Sequence, residues 1–97
     1  MTRYRLTRAA ADDIEHIYVE GLVQFGFEQA EAYHLGLFGT FAFLAEYPAA
    51  ARPREELPTP VRIHRYRSHL IVYEIVDGEV LVVRIRHGRE DWLGQMD

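Results

Sequence analysis

From Thr2 to Leu6 polar and apolar residues alternate, with Tyr4 and Leu6 on one face, which predicts a short strand. The period then lengthens. In RAAADDIEHIYVEGLVQF the residues Ala10, Ile14, Ile17, Tyr18 and Leu22 recur at helical spacing. Thr7 stands where a cap belongs, and Gly26 breaks the run. A second helix is predicted from about Glu28 to Glu46, with Ala30, Tyr33, Leu37, Phe38, Phe41, Leu44 and Ala45 on a broad apolar stripe. Pro48 cannot continue it. A tight turn near Gln24–Phe27 makes the pair an antiparallel hairpin. Gly36 and Gly39 lie inside the second helix. Each costs about 1 kcal/mol relative to Ala, which predicts close approach of the first helix there.

After the irregular connector PAAARPREELPTP the period drops to two. Val61–Tyr66 alternates; His69–Val76 and Glu79–Arg86 flank Asp77-Gly78, a strong hairpin signal. The order gives an α+β domain: an N-terminal strand, an antiparallel helix hairpin and a three-stranded antiparallel sheet, with the helices on one face. Pairing across Asp77-Gly78 sets Ile75 opposite Val80, Tyr73 opposite Val82 and Ile71 opposite Arg84. The other face then carries Leu70, Val72, Leu81, Val83 and Ile85. Both faces are apolar, yet two helices cover only one, so a partner is expected on the other. A bulge would exchange residues between the faces.

At 97 residues the chain fits one domain, spanning 1–97, with a thin core. It has no cysteine, which excludes disulfides and thiolate chemistry and suits a cytoplasmic protein. No apolar run has the length of a membrane span. The formal charge of -4 argues against bulk attraction to nucleic acid. Its distribution is uneven: residues 1–51 hold three Arg against seven acids, and residues 52–91 hold eight Arg against seven acids.

The basic residues gather in the C-terminal half. His64, His69 and His87 lie among Arg62, Arg65, Arg67, Arg84, Arg86 and Arg89. Histidine can move a proton and arginine can neutralise a developing phosphorane, so these residue types fit RNA cleavage. They equally fit an arginine-rich sheet rim paired with acids. Asp12, Asp13 and Glu15 read as a solvated cluster near a helix start. No phosphate loop, HExxH or nucleophile elbow occurs, and no metal or cofactor is expected.

The order of the segments LTRAAADDIEHIYVEG, FAFLAEYPAAARPREEL and VRIHRYRSHLIVYEIVDGEVLVVRIRHGREDW resembles the ParE branch of the RelE/ParE toxin superfamily over nearly the whole chain. The resemblance implies a bacterial type II toxin that inhibits DNA gyrase by protein binding. It implies neutralisation by a ParD-like antitoxin wrapped over helices and sheet. On that view Leu70, Val72, Tyr73, Val80 and Val82, with the helix-hairpin groove, would meet the antitoxin, and Arg84 and Arg86 would form salt bridges to it. His87, Arg89 and Trp92 would contact gyrase. The alternative is a ribosome-dependent mRNA interferase of the RelE type, using Arg62, His64, His87 and Arg89. Two departures count against it: Leu70 occupies the place of that branch's arginine, and no Tyr follows Tyr73.

Overall fold

The computed structural model describes residues 3–54 and 60–88. Strand β1 (Tyr4–Leu6) leads through Thr7 into helix α1 (Arg8–Phe25). The Thr7 hydroxyl accepts from the Ala10 N–H at 3.0 Å and donates to the Val83 carbonyl at 2.7 Å, so one side chain both caps the helix and fastens it to the sheet. Only Gly26 separates α1 from α2 (Phe27–Glu46). Its φ of 90° is a conformation that a Cβ would penalise. A 3-10 turn at Pro48–Ala50 follows, then β2 (Pro53–Arg54), β3 (Val61–Tyr66), β4 (His69–Val76) and β5 (Glu79–His87).

The sheet has five strands, not three, in the order β1-β5-β4-β3-β2. β1 joins it by pairing in parallel with β5, Tyr4 opposite Val80 and Leu6 opposite Val82. A parallel neighbour needs no turn, so local sequence carries no sign of it. The two-residue β2 is too short to show a period. The hairpin between β4 and β5 turns at Asp77 and Gly78, both with positive φ, as its sequence requires.

Ile75 faces Val80 and Tyr73 faces Val82 as expected, but the register then shifts between Val72 and Tyr73. Val83 is the extra residue. Arg84 therefore opposes Val72, and Ile85 opposes Ile71. This corrects the pairing of Ile71 with Arg84 and moves Ile85 to the helix-covered face. There Ile71, Tyr73, Val80, Val82 and Ile85 pack with Ala10, Ile14, Leu37, Phe41 and Leu44 in one core.

The two α2 glycines also differ from expectation. A Cβ on Gly36 would stand 2.0 Å from the Tyr66 hydroxyl, so a strand residue makes the close approach and α1 does not. The helices come together instead at Gly21, where a Cβ would lie 3.4 Å from that of Ala30. At Gly39 nothing lies within 4 Å, and nothing in the packing explains that glycine.

Candidate functional site

The face of the sheet turned away from the helices carries a small apolar cluster. Val61 and Val72 are buried, and half-buried Ile63 and Leu70 pack against them. Two rows cross this face, Arg65–Leu70–Arg86 and Ile63–Val72–Arg84. The apolar seam thus ends among arginines. Arg84 forks onto Asp13 of α1, with Nε 2.8 Å from Oδ2 and Nη2 3.1 Å from Oδ1. The Ile85 N–H donates to the same Oδ2 at 2.9 Å. Asp13 is therefore a partner of β5, which corrects its reading as part of a solvated cluster.

Tyr73, Val80 and Val82 are 0% exposed beneath the helices. A partner laid on the open face does not reach them, because the side-chain alternation puts them with the core. Leu70, Val72, Arg84 and Arg86 do share that face. Leu70 and Val72 are, however, more covered than two-faced patterning predicts. Among the described residues the most exposed large apolar side chains stand on the helix hairpin, with Val23 at 82% and Leu35 at 68%.

A groove of about 570 Å³ lies between the two helices and one end of the sheet. Ile14, Ile17, Leu37 and Ile85 give it apolar lining; Tyr18, Tyr33, His34, His69 and His87 give it polar aromatic lining. Tyr18 donates to the Glu31 carboxylate, and that hydrogen bond pushes its hydroxyl pKa up. The Tyr33 hydroxyl sits 2.6 Å from His69 Nδ1. It also donates to the Tyr66 carbonyl at 3.4 Å, while the Tyr66 hydroxyl donates to the Tyr33 carbonyl at 3.3 Å. This reciprocal pair ties α2 to the end of β3, and burial pushes the Tyr33 hydroxyl up. The stripe read on α2 includes Tyr33 as a core residue. Its hydroxyl, with those of Tyr18 and Tyr66, was the available signal that this seam is polar.

The residues of the alternative RNA-cleaving set are spread along the strands. Arg62 donates to the Ala51 carbonyl in the connector, and the His64 ring lies 5.9 Å from that of Phe43. His87 stands at the end of β5 opposite His69, ring centroids 5.2 Å apart. Arg89 and Trp92 lie outside the described residues. Among the described residues no helix is long and apolar enough to cross a membrane.

The model of a family described as the ParE toxin of the type II toxin–antitoxin system, parDE, matches residues 4–92. Toxin ParE1 of Caulobacter vibrioides is 33% identical over 87 residues, covering 90% of this chain and 90% of that protein. A solved structure, the chromosomal ParDE TA system from P. aeruginosa, aligns with a TM-score of 0.73 at 24% identity. That alignment covers 90% of this chain and 96% of the other, and it shows a shared fold.

Proposed function

We propose, from the premise that this chain belongs to the ParE toxin family of type II toxin–antitoxin systems, that it arrests growth by binding DNA gyrase and is held inactive by a ParD-like antitoxin. The observation that carries a binding role over a cutting one is the commitment of the basic set. Arg62 is held by the connector, His64 packs on Phe43, and aliphatic Leu70 stands between Arg65 and Arg86, where the cleaving relatives place an arginine. A phosphorane needs cationic groups free to converge on one point, and of the described members of that set Arg62 and His64 are turned to other partners.

Antitoxin binding uses the helix-hairpin groove and the open-face residues Leu70, Val72, Arg84 and Arg86. The groove offers apolar lining edged by hydrogen-bonding aromatics, a composition suited to one face of a partner segment. Leu70→Asp weakens the antitoxin complex about tenfold or more by calorimetry, since a carboxylate would have to be desolvated on the apolar seam. An unchanged affinity removes the open face from the interface. Val82→Asp instead unfolds the chain, because Val82 is in the core.

The target is tested by running a gyrase supercoiling assay beside a translation-coupled mRNA cleavage assay. Inhibited supercoiling with intact mRNA is the expected result. Cleaved mRNA that is lost in His87→Ala, with supercoiling untouched, would reverse the reading in favour of the interferase.

A further inference from the structure

Four of the chain's five histidines, His16, His34, His69 and His87, line the groove between the helices and the end of the sheet. His69 and His87 oppose each other in the register beyond Ile71 and Ile85, so the helix-covered face of the sheet ends in two imidazoles. Their ring centroids are 5.2 Å apart. Tyr33 of α2, with Arg67 and Ser68 of the turn between β3 and β4, completes this end. Both carboxylates that line the groove among the described residues, Asp13 and Glu20, belong to α1 instead. Asp13 is held by Arg84 and the Ile85 N–H. Glu31 of α2 accepts from Tyr18, and Arg65 and Arg86 stand on the open face. The strand end of the groove therefore gathers a fixed cation and two titratable rings, away from the lining carboxylates.

The Tyr33 hydroxyl makes room for a proton there. It has one hydrogen and two neighbours, His69 Nδ1 at 2.6 Å and the Tyr66 carbonyl at 3.4 Å. When Nδ1 is bare, Tyr33 donates to it. When His69 is charged, Nδ1 donates instead, and the Tyr33 hydrogen turns to the carbonyl. The charged ring is accommodated by rotating one hydroxyl, with no movement of strand or helix.

We infer that this strand end is a proton-linked receptor for a carboxylate side chain of the antitoxin segment in the groove, with His69 and His87 taking up a proton as it binds. The inference rests on the antitoxin reading above. An anion laid against two imidazoles and a guanidinium gains charge-assisted hydrogen bonds and favours the charged form of each ring. Binding that takes up a proton strengthens as pH falls, by about tenfold per unit for each whole proton. The gain begins as pH falls through the titration of the complex and is complete below that of the free groove. For imidazoles this window lies around pH 6–7.

The test is calorimetric titration of the full-length toxin with its antitoxin, the two separated from their co-expressed complex. Titrations are run at about pH 6 and about pH 7.5, on either side of the imidazole range, in two buffers of different ionisation heat. The buffer difference counts the protons taken up. About one proton, and an affinity about tenfold tighter at the lower pH, are expected. Circular dichroism first establishes that each variant is folded, and His87→Gln carries the test alone if His69→Gln is not. Each of these two variants should remove most of the uptake. His64→Gln, on a ring packed against Phe43 outside the groove, should keep it. Exchanging the Asp and Glu residues of the antitoxin segment for Asn and Gln should also remove it. Affinity that does not change with pH, or uptake that survives either the folded histidine variants or the antitoxin exchange, would overturn the receptor while leaving antitoxin binding in place. An antitoxin that binds at neither pH would overturn both.

Discussion

At the scale of single residues, two buried or half-buried polar groups join segments distant in sequence. Asp13 serves β5 twice, through the Arg84 guanidinium and through the Ile85 N–H. The ion pair is partly solvated, with 41% of the Arg84 side chain exposed, so it is worth less than about 1 kcal/mol. The backbone bond adds about as much again, and losing the carboxylate strands an N–H at a sheet edge. Urea unfolding should therefore show Asp13→Ala costing about 2 kcal/mol and Arg84→Ala less than about 1 kcal/mol. Tyr73 is the second such group. Its hydroxyl donates to the Pro48 carbonyl at 2.7 Å and accepts from the Ala51 N–H at 3.3 Å. Burial pushes its pKa up, so the fold favours the neutral phenol. A raised folded-state value gives stability that is whole below the unfolded pKa of about 10 and is lost as pH rises through the folded value. Tyr73→Phe should cost about 1–2 kcal/mol at pH 7. It should also flatten the fall in melting temperature on the alkaline side of pH 10.

At the scale of elements, helix α2 holds two glycines with opposite meanings. Gly36→Ala would collide with a Tyr66 ring that is hydrogen-bonded at its tip, and should destabilise by about 2–3 kcal/mol. Gly39→Ala meets open space in a helix interior and should stabilise by about 0.5–1 kcal/mol. Chemical denaturation of the pair separates the two cases. The sequence marks both positions as costly but cannot say what approaches them, since Tyr66 is thirty residues away. The same limit governs the rest of the fold. The helices, their Thr7 and Gly26 boundaries and the Asp77-Gly78 hairpin are written locally and are read correctly from the sequence. The neighbour of β1 and the bulge at Val83 depend on distant pairing, and neither has a local signature. The site suffered accordingly. One residue of register decided that Arg84 shares the open face with Leu70 and that Ile85 does not. Strand alternation put Tyr73, Val80 and Val82 with the core.

At the scale of the whole molecule, the sheet is assembled from both ends of the described chain. The Thr7 hydroxyl meets the Val83 carbonyl across 76 residues, and β1 closes the side of β5 that would otherwise be bare. The Thr7 N–H adds a bond to the Val82 carbonyl at 3.0 Å. Local fraying cannot release β5 without also losing the core residues Val80 and Val82. Hydrogen exchange should therefore show the Thr7 and Ile85 amides protected to within about 1 kcal/mol of the global unfolding free energy. Val23 and the tip of the helix hairpin should exchange or accept proteolytic cuts at far lower cost.

That closure also sets the tempo of folding. Contacts between Tyr4 and Val80 give nothing until a long loop has been drawn shut, so the last gains in stability arrive late and together. Until then β5 has an unpaired edge and a bare apolar face, a template for adding a foreign strand. Any partner strand that reached the sheet at that stage would meet this unfinished edge before β1 could close it.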